Sequence, residues 1–312
     1  MKQLFWVSGS ILISLFLFCK CSSGTDPSPT NNPPLISSLT AIPDTIFWGN
    51  ISTLTCTALD PDDDKLIYIW KSVAGTINGM GASINWIAPD NIGNYKITCE
   101  VKDGKGGIDS SIINIEVVNS IQTDRIVDAK ANIFGAGKIN PPAPAGGEAG
   151  ILPTEFEFTE GINLIITFPN VSGSVSCCGS NFAFAGPDGY ANGGYTYITS
   201  YEGISGINHD TRNLFLVGVF VDDFEPMDPA PLVLSFNGGG NFLEITPVLN
   251  QTFFIGDGLT ETGSGQIQKF LVPQNATRLF LGFADAEFFS GPPGLYGDNL
   301  GELVVNILLK KE

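Results

Sequence analysis

Near the C-terminus, two apolar runs flank a loop that carries Asp285, Asp298 and Asn299 among glycines and prolines. Carboxylate and amide oxygens are hard donors, and glycines let the backbone turn its carbonyl oxygens inward. Ca²⁺ is held by several such oxygens at about 2.3–2.6 Å. The loop is therefore a candidate calcium site and, with calcium bound, a candidate ligand-binding surface.

The elements that must position this loop are predicted to be strands. Charged residues make up only 15% of the 312-residue chain, and Gly and Pro are abundant. Short runs of Val, Ile, Thr and Phe dominate between turn signals, which predicts an all-β fold. The length exceeds what one ordinary domain needs, so we expect more than one domain.

The net charge of −17 limits the partners. A surface this acidic repels nucleic acid and anionic lipid, which excludes DNA and RNA binding. It is compatible with calcium and with neutral ligands such as sugars. Excess Asp and Glu also raise solubility, so most of these carboxylates need no binding role.

The N-terminus has the pattern of an export signal. Lys2 precedes an apolar run over Leu4–Phe18 that is too short for a membrane span, so residues 1–18 are predicted to be a signal peptide. Cys19 and a polar, Pro-rich stretch follow; this arrangement resembles a bacterial lipoprotein signal, in which that cysteine is lipidated. Residues 19–34 would then tether the protein to the membrane at the outer surface of the cell envelope. Secretion after Ser23 is the alternative.

Residues 35–119 are predicted to form a first domain, a β-sandwich. Six short extended runs alternate with turn signals at the spacing typical of that architecture. Cys56 and Cys99 lie in two of the runs, where an oxidising compartment would allow a disulfide. The order Cys56, Trp70, Cys99 resembles an immunoglobulin-like domain, which implies a Cys56–Cys99 disulfide packed against Trp70.

The same unit also resembles the PKD-type repeats of bacterial surface proteins, through the phrases Thr53–Asp62 and Thr98–Gly107. Domains of this kind usually act as spacers. The acidic turn at Asp60 and 62–64 is either an exposed turn between strands or a calcium site between domains, and the exposed turn is the commoner arrangement.

Residues 125–312, after a short linker at 120–124, are richer in Gly and Phe. Nine strand candidates separated by Gly-rich turns predict a second sandwich or jelly roll. Several segments, in order, resemble the PA-IL-like galactose-binding lectin family of bacteria and, more closely still, its longer exported relatives. These segments are Asn163–Phe168, Gly173–Gly179, Gly186–Gly189, Leu214–Phe220, Phe270–Asp285 and Pro293–Ile307.

This resemblance implies a jelly-roll, galactose-binding-like sandwich with Ca²⁺ at one edge, where two sugar hydroxyls complete the calcium shell. Carried onto this sequence, Asp285, Asp298 and Asn299 are side-chain ligands, and Leu295 is a backbone-carbonyl ligand. A further carbonyl is expected from the turn at 176–179.

Two departures from the lectin pattern concern the sugar. Leu295 has no hydroxyl where the lectins have a threonine, and Glu287–Pro292 is inserted in the loop. Phe288, Phe289 and Tyr296 are candidates to stack on a sugar face, because aromatic rings suit its apolar C–H groups. Burial in the core is the alternative for each ring. The ligand is therefore expected to be galactose-like or another carbohydrate.

Catalytic arrangements are scarce. A single histidine, His209, disfavours Ser-His-Asp and zinc chemistry, and no Gly-x-Ser-x-Gly elbow or phosphate loop is present. Glu155 and Glu157 alternate on one strand, as solvated acidic residues commonly do. Cys177 and Cys178 form either a vicinal disulfide or two buried thiols. We therefore expect a binding protein and not an enzyme.

Two binding functions follow, and a hydrolase that uses carboxylates such as Glu155 and Glu157 is the third and least favoured hypothesis. The first is a calcium-dependent carbohydrate-binding module on an exported, lipid-anchored surface protein. The second is a structural or adhesive surface protein in which calcium only stabilises the fold. A homo-oligomer is compatible with both.

Overall fold

The computed structural model describes residues 30–191 and 194–311. The predicted signal peptide, Cys19 and most of the predicted tether lie outside these ranges. Within them, helix is limited to three single 3₁₀ turns, at Ile133–Gly135, Glu287–Phe289 and Tyr296–Asp298, and no helix has the length and apolar character that a membrane crossing requires. Strands supply the remaining regular structure, which confirms the all-β prediction.

The first half of the chain forms a β-sandwich. Its strands are β1 (Leu35–Ile42), β2 (Thr45–Phe47), β3 (Ile51–Leu59), β4 (Ile67–Ser72), β5 (Thr76–Asn78), β6 (Ser83–Ile87), β7 (Gly93–Lys102) and β8 (Ile108–Val118). One sheet has the order β1-β3-β6-β5 and the other β2-β8-β7-β4. Leu54 and Trp86 of the first sheet share one buried cluster with Ile97 and Ile115 of the second. The sandwich prediction is therefore confirmed.

Alternation of buried and exposed positions explains this core. In β3, Leu54 and Cys56 face inward while the intervening threonines face solvent, because successive strand residues point to opposite faces. Cys56 and Cys99 meet in a small buried cluster with Val101, and Trp70 packs against it, as the immunoglobulin-like resemblance implies.

The predicted Cys56–Cys99 disulfide is not formed in this structure. Both residues are free thiols, and their side chains are hydrogen-bonded to each other. Burial raises the pKa of the Cys99 thiol to about 12, so both sulfurs sit together as protonated groups in an apolar environment.

The second half forms a larger sandwich from fifteen strands. They are β9 (Ser120–Asp128), β10 (Thr154–Glu157), β11 (Leu164–Ser176), β12 (Thr196–Ile198), β13 (Ile207–His209), β14 (Leu216–Val221), β15 (Leu234–Phe236), β16 (Glu244–Ile245), β17 (Thr252–Phe254), β18 (Leu259–Glu261), β19 (Ser264–Ile267), β20 (Lys269–Leu271), β21 (Arg278–Phe283), β22 (Ser290–Gly291) and β23 (Leu300–Lys311). The two main sheets have the orders β10-β21-β14-β17 and β16-β20-β11-β23-β9, a third sheet has the order β15-β13-β12-β22, and β18 pairs with β19.

Aromatic side chains fill the core between the two main sheets. Phe270 of β20 packs against Phe168 of β11 and Phe253 of β17, with ring centroids 5.2 Å apart in both pairs. Offset and edge-on contacts of this kind add to the hydrophobic gain from burying each ring. The predicted second sandwich is therefore confirmed, and its Phe-rich composition is explained by this core.

The two sandwiches join without a free linker. Residues 120–124, predicted as a linker, form the first half of β9, which pairs with β23. Phe47 of β2 packs into the core of the second sandwich. The Lys311 ammonium donates to the Trp48 carbonyl at 2.9 Å and lies 4.4 Å from the centroid of the Trp48 ring. The chain passes from one sheet to the next with a single residue between β8 and β9.

Candidate functional site

Asp285 lies just beyond the end of β21 and is 4% exposed. One carboxylate oxygen accepts from the Ala286 N–H at 2.8 Å, and the other accepts from the Asn299 amide at 2.8 Å. The pKa of Asp285 is raised to about 7: burial is the main cause, the neighbouring Asp298 charge also raises it, and the two hydrogen bonds lower it. Among the described residues, no basic side chain contributes to this pKa shift of Asp285.

Asn299 completes this contact from the start of β23. It is 1% exposed, and its Nδ2 donates to the Ala129 carbonyl at 3.1 Å as well as to Asp285. Its Oδ1 is buried with no hydrogen-bond partner among the described residues. An unpaired buried acceptor costs about 1–3 kcal/mol. The Asn299 oxygen is therefore available to a cation.

Tyr296 positions Asp285 and is not a sugar-stacking residue. The ring is fully buried, and its hydroxyl donates to the Phe283 carbonyl and accepts from the Asp285 N–H, both at 3.0 Å. The prediction that Tyr296 contacts a ligand is wrong, because the hydroxyl is committed to the backbone at the end of β21. Gly150 makes room for the ring, since a Cβ there would lie 2.7 Å from the Tyr296 Cβ.

Leu295 and Asp298, the other predicted ligands, line the same cavity as Asp285. Leu295 adopts the left-handed conformation (φ 70°) and starts the short turn that contains Asp298. Asp298 is exposed, and its carbonyl accepts from the Gly179 N–H at 3.0 Å. The turn at 176–179 is thus beside the loop, as predicted. Cys178 within this turn is also left-handed (φ 66°).

A cavity of about 560 Å³ opens above these groups. Asp285, Leu295 and Asp298 line it together with the rings of Phe288 and Phe289. Phe288 is 82% exposed, whereas Phe289 is half-buried and packs against the core. Few converging polar groups within aromatic walls are typical of small-ligand sites. The structure therefore places three predicted metal ligands, Asp285, Leu295 and Asp298, at one cavity, and the fourth, Asn299, is buried behind it in contact with Asp285.

The inserted stretch shapes the mouth of this cavity. Glu287–Phe289 forms a single 3₁₀ turn, and Ser290–Gly291 adds β22 to the edge of β12. Phe288 and Phe289 both adopt positive φ angles, of 52° and 54°. Pairing of β22 with a distant strand holds the exposed Phe288 ring at the cavity.

Several cavity residues were not predicted from the sequence, among them Tyr190, Tyr195 and Asn213. Tyr190 donates its hydroxyl to the Ala183 carbonyl at 2.5 Å. The pattern Tyr195-Thr-Tyr197 alternates aromatic and polar residues as an exposed strand face does, and this signal would have marked Tyr195 as a surface aromatic residue.

The groups at and directly behind the cavity fit Ca²⁺ better than a softer metal. Asp285 and Asn299 supply hard oxygens, and two thiols lie nearby at Cys177 and Cys178. Burial raises the pKa of Cys177 to about 12, so its thiol stays protonated at neutral pH and is a poor metal ligand. Both cysteines are free, and Cys178 is exposed, so the predicted vicinal disulfide is not formed, nor are both thiols buried.

His209 and the acidic pair of β10 lie apart from the cavity. His209 is fully buried among Phe215, Phe236 and Phe254, and burial lowers its pKa to about 4. It is therefore a neutral core residue at physiological pH. The carboxylates Glu155 and Glu157 face solvent on β10.

A second acidic group lies in the first sandwich. Asp60, Asp64 and Asp103 each present a carboxylate oxygen within 4.8 Å of the others, which is close enough to hold a metal ion. The Lys105 ammonium lies 2.6 Å from Asp64, and Asp103 accepts from the Asn31 amide at 2.6 Å. One oxygen each of Asp60 and Asp64 is buried without a partner among the described residues. The predicted acidic turn is thus partly buried, and Asp103 joins it from the end of β7.

No protein-family model matches the chain, and no curated protein matches it. Among solved structures, the chain is similar to a nucleoside hydrolase-related hypothetical protein from Saccharophagus degradans that is associated with carbohydrate metabolism, at 20% identity and a TM-score of 0.22, over 28% of this chain and 25% of that one. It is also similar to carbohydrate-binding modules of the β-sandwich superfamily with promiscuous specificity, at 12% identity and a TM-score of 0.26, over 90% of this chain and 98% of that one.

This chain spans a quarter of the length of the Saccharophagus protein. TM-scores this low carry no argument about function. The resemblances to PA-IL-like lectins and to PKD-type repeats stay predictions.

Proposed function

We propose that this protein binds a neutral carbohydrate through a calcium ion held in the second sandwich. The observation that carries the proposal is the buried Asp285 carboxylate, which lines a cavity with aromatic walls and is hydrogen-bonded to Asn299, whose Oδ1 has no partner among the described residues. A buried carboxylate is costly unless a cation or a proton neutralises it. A divalent cation would neutralise Asp285 and satisfy Asn299 at once.

Asp285, Asn299 and Asp298 would hold the ion, with carbonyl oxygens from Leu295 and the turn at 176–179. Ca²⁺ takes six to eight oxygens, roughly, and readily accepts some of them from a ligand. Sugar hydroxyls suit the open positions. The chain contributes orientation: Tyr296 fixes the backbone at Asp285, and Asn299 ties the carboxylate to Ala129.

The cavity favours an uncharged ligand. The described residues that line it include acidic side chains at Glu287 and Asp298 and no Lys, Arg or His. An anionic sugar would meet like charge there. Phe288 and Leu295 offer apolar contacts. The apolar ring faces of the sugar would therefore contribute to binding as well as its hydroxyls.

A structural role for calcium is the second candidate. The same groups join three distant parts of the chain, because Asn299 contacts both Asp285 and the Ala129 carbonyl. An ion there would stabilise the second sandwich even with no sugar bound. This alternative predicts calcium stabilisation without any effect of sugars.

Isothermal titration calorimetry separates these functions. Monosaccharides and disaccharides are titrated into the protein, once with calcium at about 1 mM and once with chelator. This calcium concentration is chosen because weak calcium sites have dissociation constants of about 10⁻⁴–10⁻³ M. We expect binding of at least one neutral sugar only with calcium. Calcium binding without any sugar binding would support the structural role, and no calcium binding would overturn the proposal.

Asp285→Asn is the decisive variant, because it keeps the shape of the side chain and removes its charge. We expect loss of calcium-dependent sugar binding with the fold retained by circular dichroism. Asp222→Asn is the matched control. Asp222 is also an aspartate of the second sandwich, but it lines a different cavity, together with Asp223.

The location and the role of the first sandwich are also proposed. The N-terminal pattern around Cys19 supports export and attachment to the membrane of the cell envelope. The first sandwich would then be a spacer, and its direct junction with the second, through β9 and Lys311, would present the cavity in a fixed orientation. The proposed role is binding without chemical turnover.

A further inference from the structure

Two tyrosines form an exposed aromatic pair beside the cavity. Tyr195 and Tyr197 are two positions apart at β12, so their side chains lie on the same face, while Thr196 and Ile198 between and after them are buried. The two tyrosines are 45% and 43% exposed, and their ring centroids are 5.4 Å apart. The pair presents a broad aromatic surface to solvent.

This pair is continuous with the proposed calcium site. Tyr195 lines the cavity together with Asp298 and Phe288, and its ring contacts that of Tyr197. In the sheet, Tyr197 pairs with Ser290 of the inserted stretch, which begins just before Phe288. Aromatic surface therefore runs from the cavity mouth outward along β12.

The chemistry of this surface selects its occupant. Tyrosine rings offer flat, electron-rich faces that attract the C–H groups of a sugar ring, and their hydroxyls remain hydrated at the rim. Acidic groups at Glu287 and Asp298 disfavour an anionic polymer, as does the net charge of −17. A neutral chain of sugars satisfies both conditions.

We infer that the ligand is a neutral oligosaccharide, with one unit in the cavity and the next unit stacked on the pair formed by Tyr195 and Tyr197. This inference rests on the proposed function, because it takes the calcium site as the place of the first unit. It adds that the protein recognises a chain of sugars rather than a single terminal sugar.

Tyr197→Ala tests the inference, since Tyr197 lies on the pair and outside the set of residues that line the cavity. The probes are galactose, glucose and mannose, each with its β-1,4-linked oligomers of two to four units, titrated by calorimetry with calcium present. We expect the native protein to bind the oligomers of one series about tenfold more tightly than the monosaccharide, which is the scale of one aromatic contact. Tyr197→Ala should lose this gain and keep the monosaccharide affinity.

Two further variants keep the test specific. Tyr197→Phe retains the ring and should retain the gain. Phe224→Ala removes a ring that is 75% exposed elsewhere on the second sandwich and should change nothing. Equal affinity for monosaccharide and oligomers, with no effect of Tyr197→Ala, would overturn the inference and leave the proposed function intact. Absence of calcium-dependent binding to every sugar would overturn both.

Discussion

The two sandwiches each carry a group of carboxylates. The two groups differ in which neighbouring residues stabilise the negative charge. In the first sandwich, Asp64 has the Lys105 ammonium at 2.6 Å, and Asp103 accepts hydrogen bonds from backbone N–H groups. In the second sandwich, Asp285 is buried beside Asn299, and the described groups that shift its pKa include no basic residue. Both groups have oxygens without a partner among the described residues, but of the two only the second lines an aromatic cavity, through Asp285.

This difference separates the ability to hold a cation from the ability to bind a ligand. The first group lies beside a surface depression lined by Pro33, Lys105 and Ile108, without an aromatic ring. An ion there would have a structural effect at most on the loops it joins. The second group has both the oxygens and the apolar walls that the proposed sugar ligand would need.

The largest expected effect is on the pH dependence of the metal-free second site. The pKa of Asp285 rises from 3.8 when unfolded to about 7 when folded, so the folded state binds the extra proton between these values. The free energy of unfolding is therefore higher at low pH, where Asp285 is protonated. It falls by on the order of 4 kcal/mol as pH rises from about 4 to 7. Urea unfolding in chelator should show this slope in the native protein and not in Asp285→Asn. Equal slopes in the two proteins would contradict the assignment.

The first group should have the opposite pH dependence. Hydrogen bonds from Asn31 and from the Lys105 and Gly107 N–H groups lower the pKa of Asp103. Its contribution to stability is then present above its unfolded pKa of about 3.8 and is lost as pH falls toward the lower folded value. Comparison of the native protein with Asp103→Asn between pH 2 and 5, roughly, should show a difference that grows with pH. A difference that shrinks with rising pH would refute the contrast between the two groups.

Tyr296→Phe should have an intermediate effect on stability. The substitution keeps the buried ring and removes the hydroxyl that bonds Asp285 N–H and the Phe283 carbonyl. Two buried backbone groups lose a partner, which costs about 1–3 kcal/mol. Sugar affinity should also fall, because Asp285 loses its support. Tyr95→Phe in the first sandwich is the control, since that hydroxyl bonds an exposed carbonyl at Asn91; an equal loss in both variants would count against the positioning role.

Lys105→Met should have the smallest effect. The Lys105 side chain is 61% exposed, and exposed ion pairs contribute little to stability. The midpoint of urea unfolding should change little, and sugar binding should not change. Loss of sugar binding in this variant would show that the two acidic groups are coupled, contrary to their separation in the structure.

Alternating sequence patterns were sufficient to predict β3, β7 and β8 of the first sandwich, but not the full lengths of β9 and β11. β3 has the predicted bounds of Ile51–Leu59 because threonines alternate with buried apolar residues along its length. The short strands β12, β13 and β22 were not predicted, because each has two or three residues and is defined by pairing with distant chain. The parallel contact between Tyr197 and Ser290 has no local sequence signal.

The candidate site was predictable in part for a similar reason. Asp285, Asp298 and Asn299 follow from the order of motifs in the chain; the structure places Asp285 and Asp298 at one cavity and Asn299 in contact with Asp285. The sequence left burial of Tyr296 as an alternative and could not decide it, because it depends on two backbone groups at the end of β21 and on the space left by Gly150. The contact between Asn299 and Ala129 likewise needs the pairing of β9 with β23.

The most direct test of the central claim is a calcium anomalous difference map from crystals of the protein grown with calcium. The account predicts a peak at about 2.3–2.6 Å from oxygens of Asp285, Asp298 and Asn299. A second peak among Asp60, Asp64 and Asp103 would be compatible with it. A map with calcium at the first group alone, or with none at Asp285, would contradict the account.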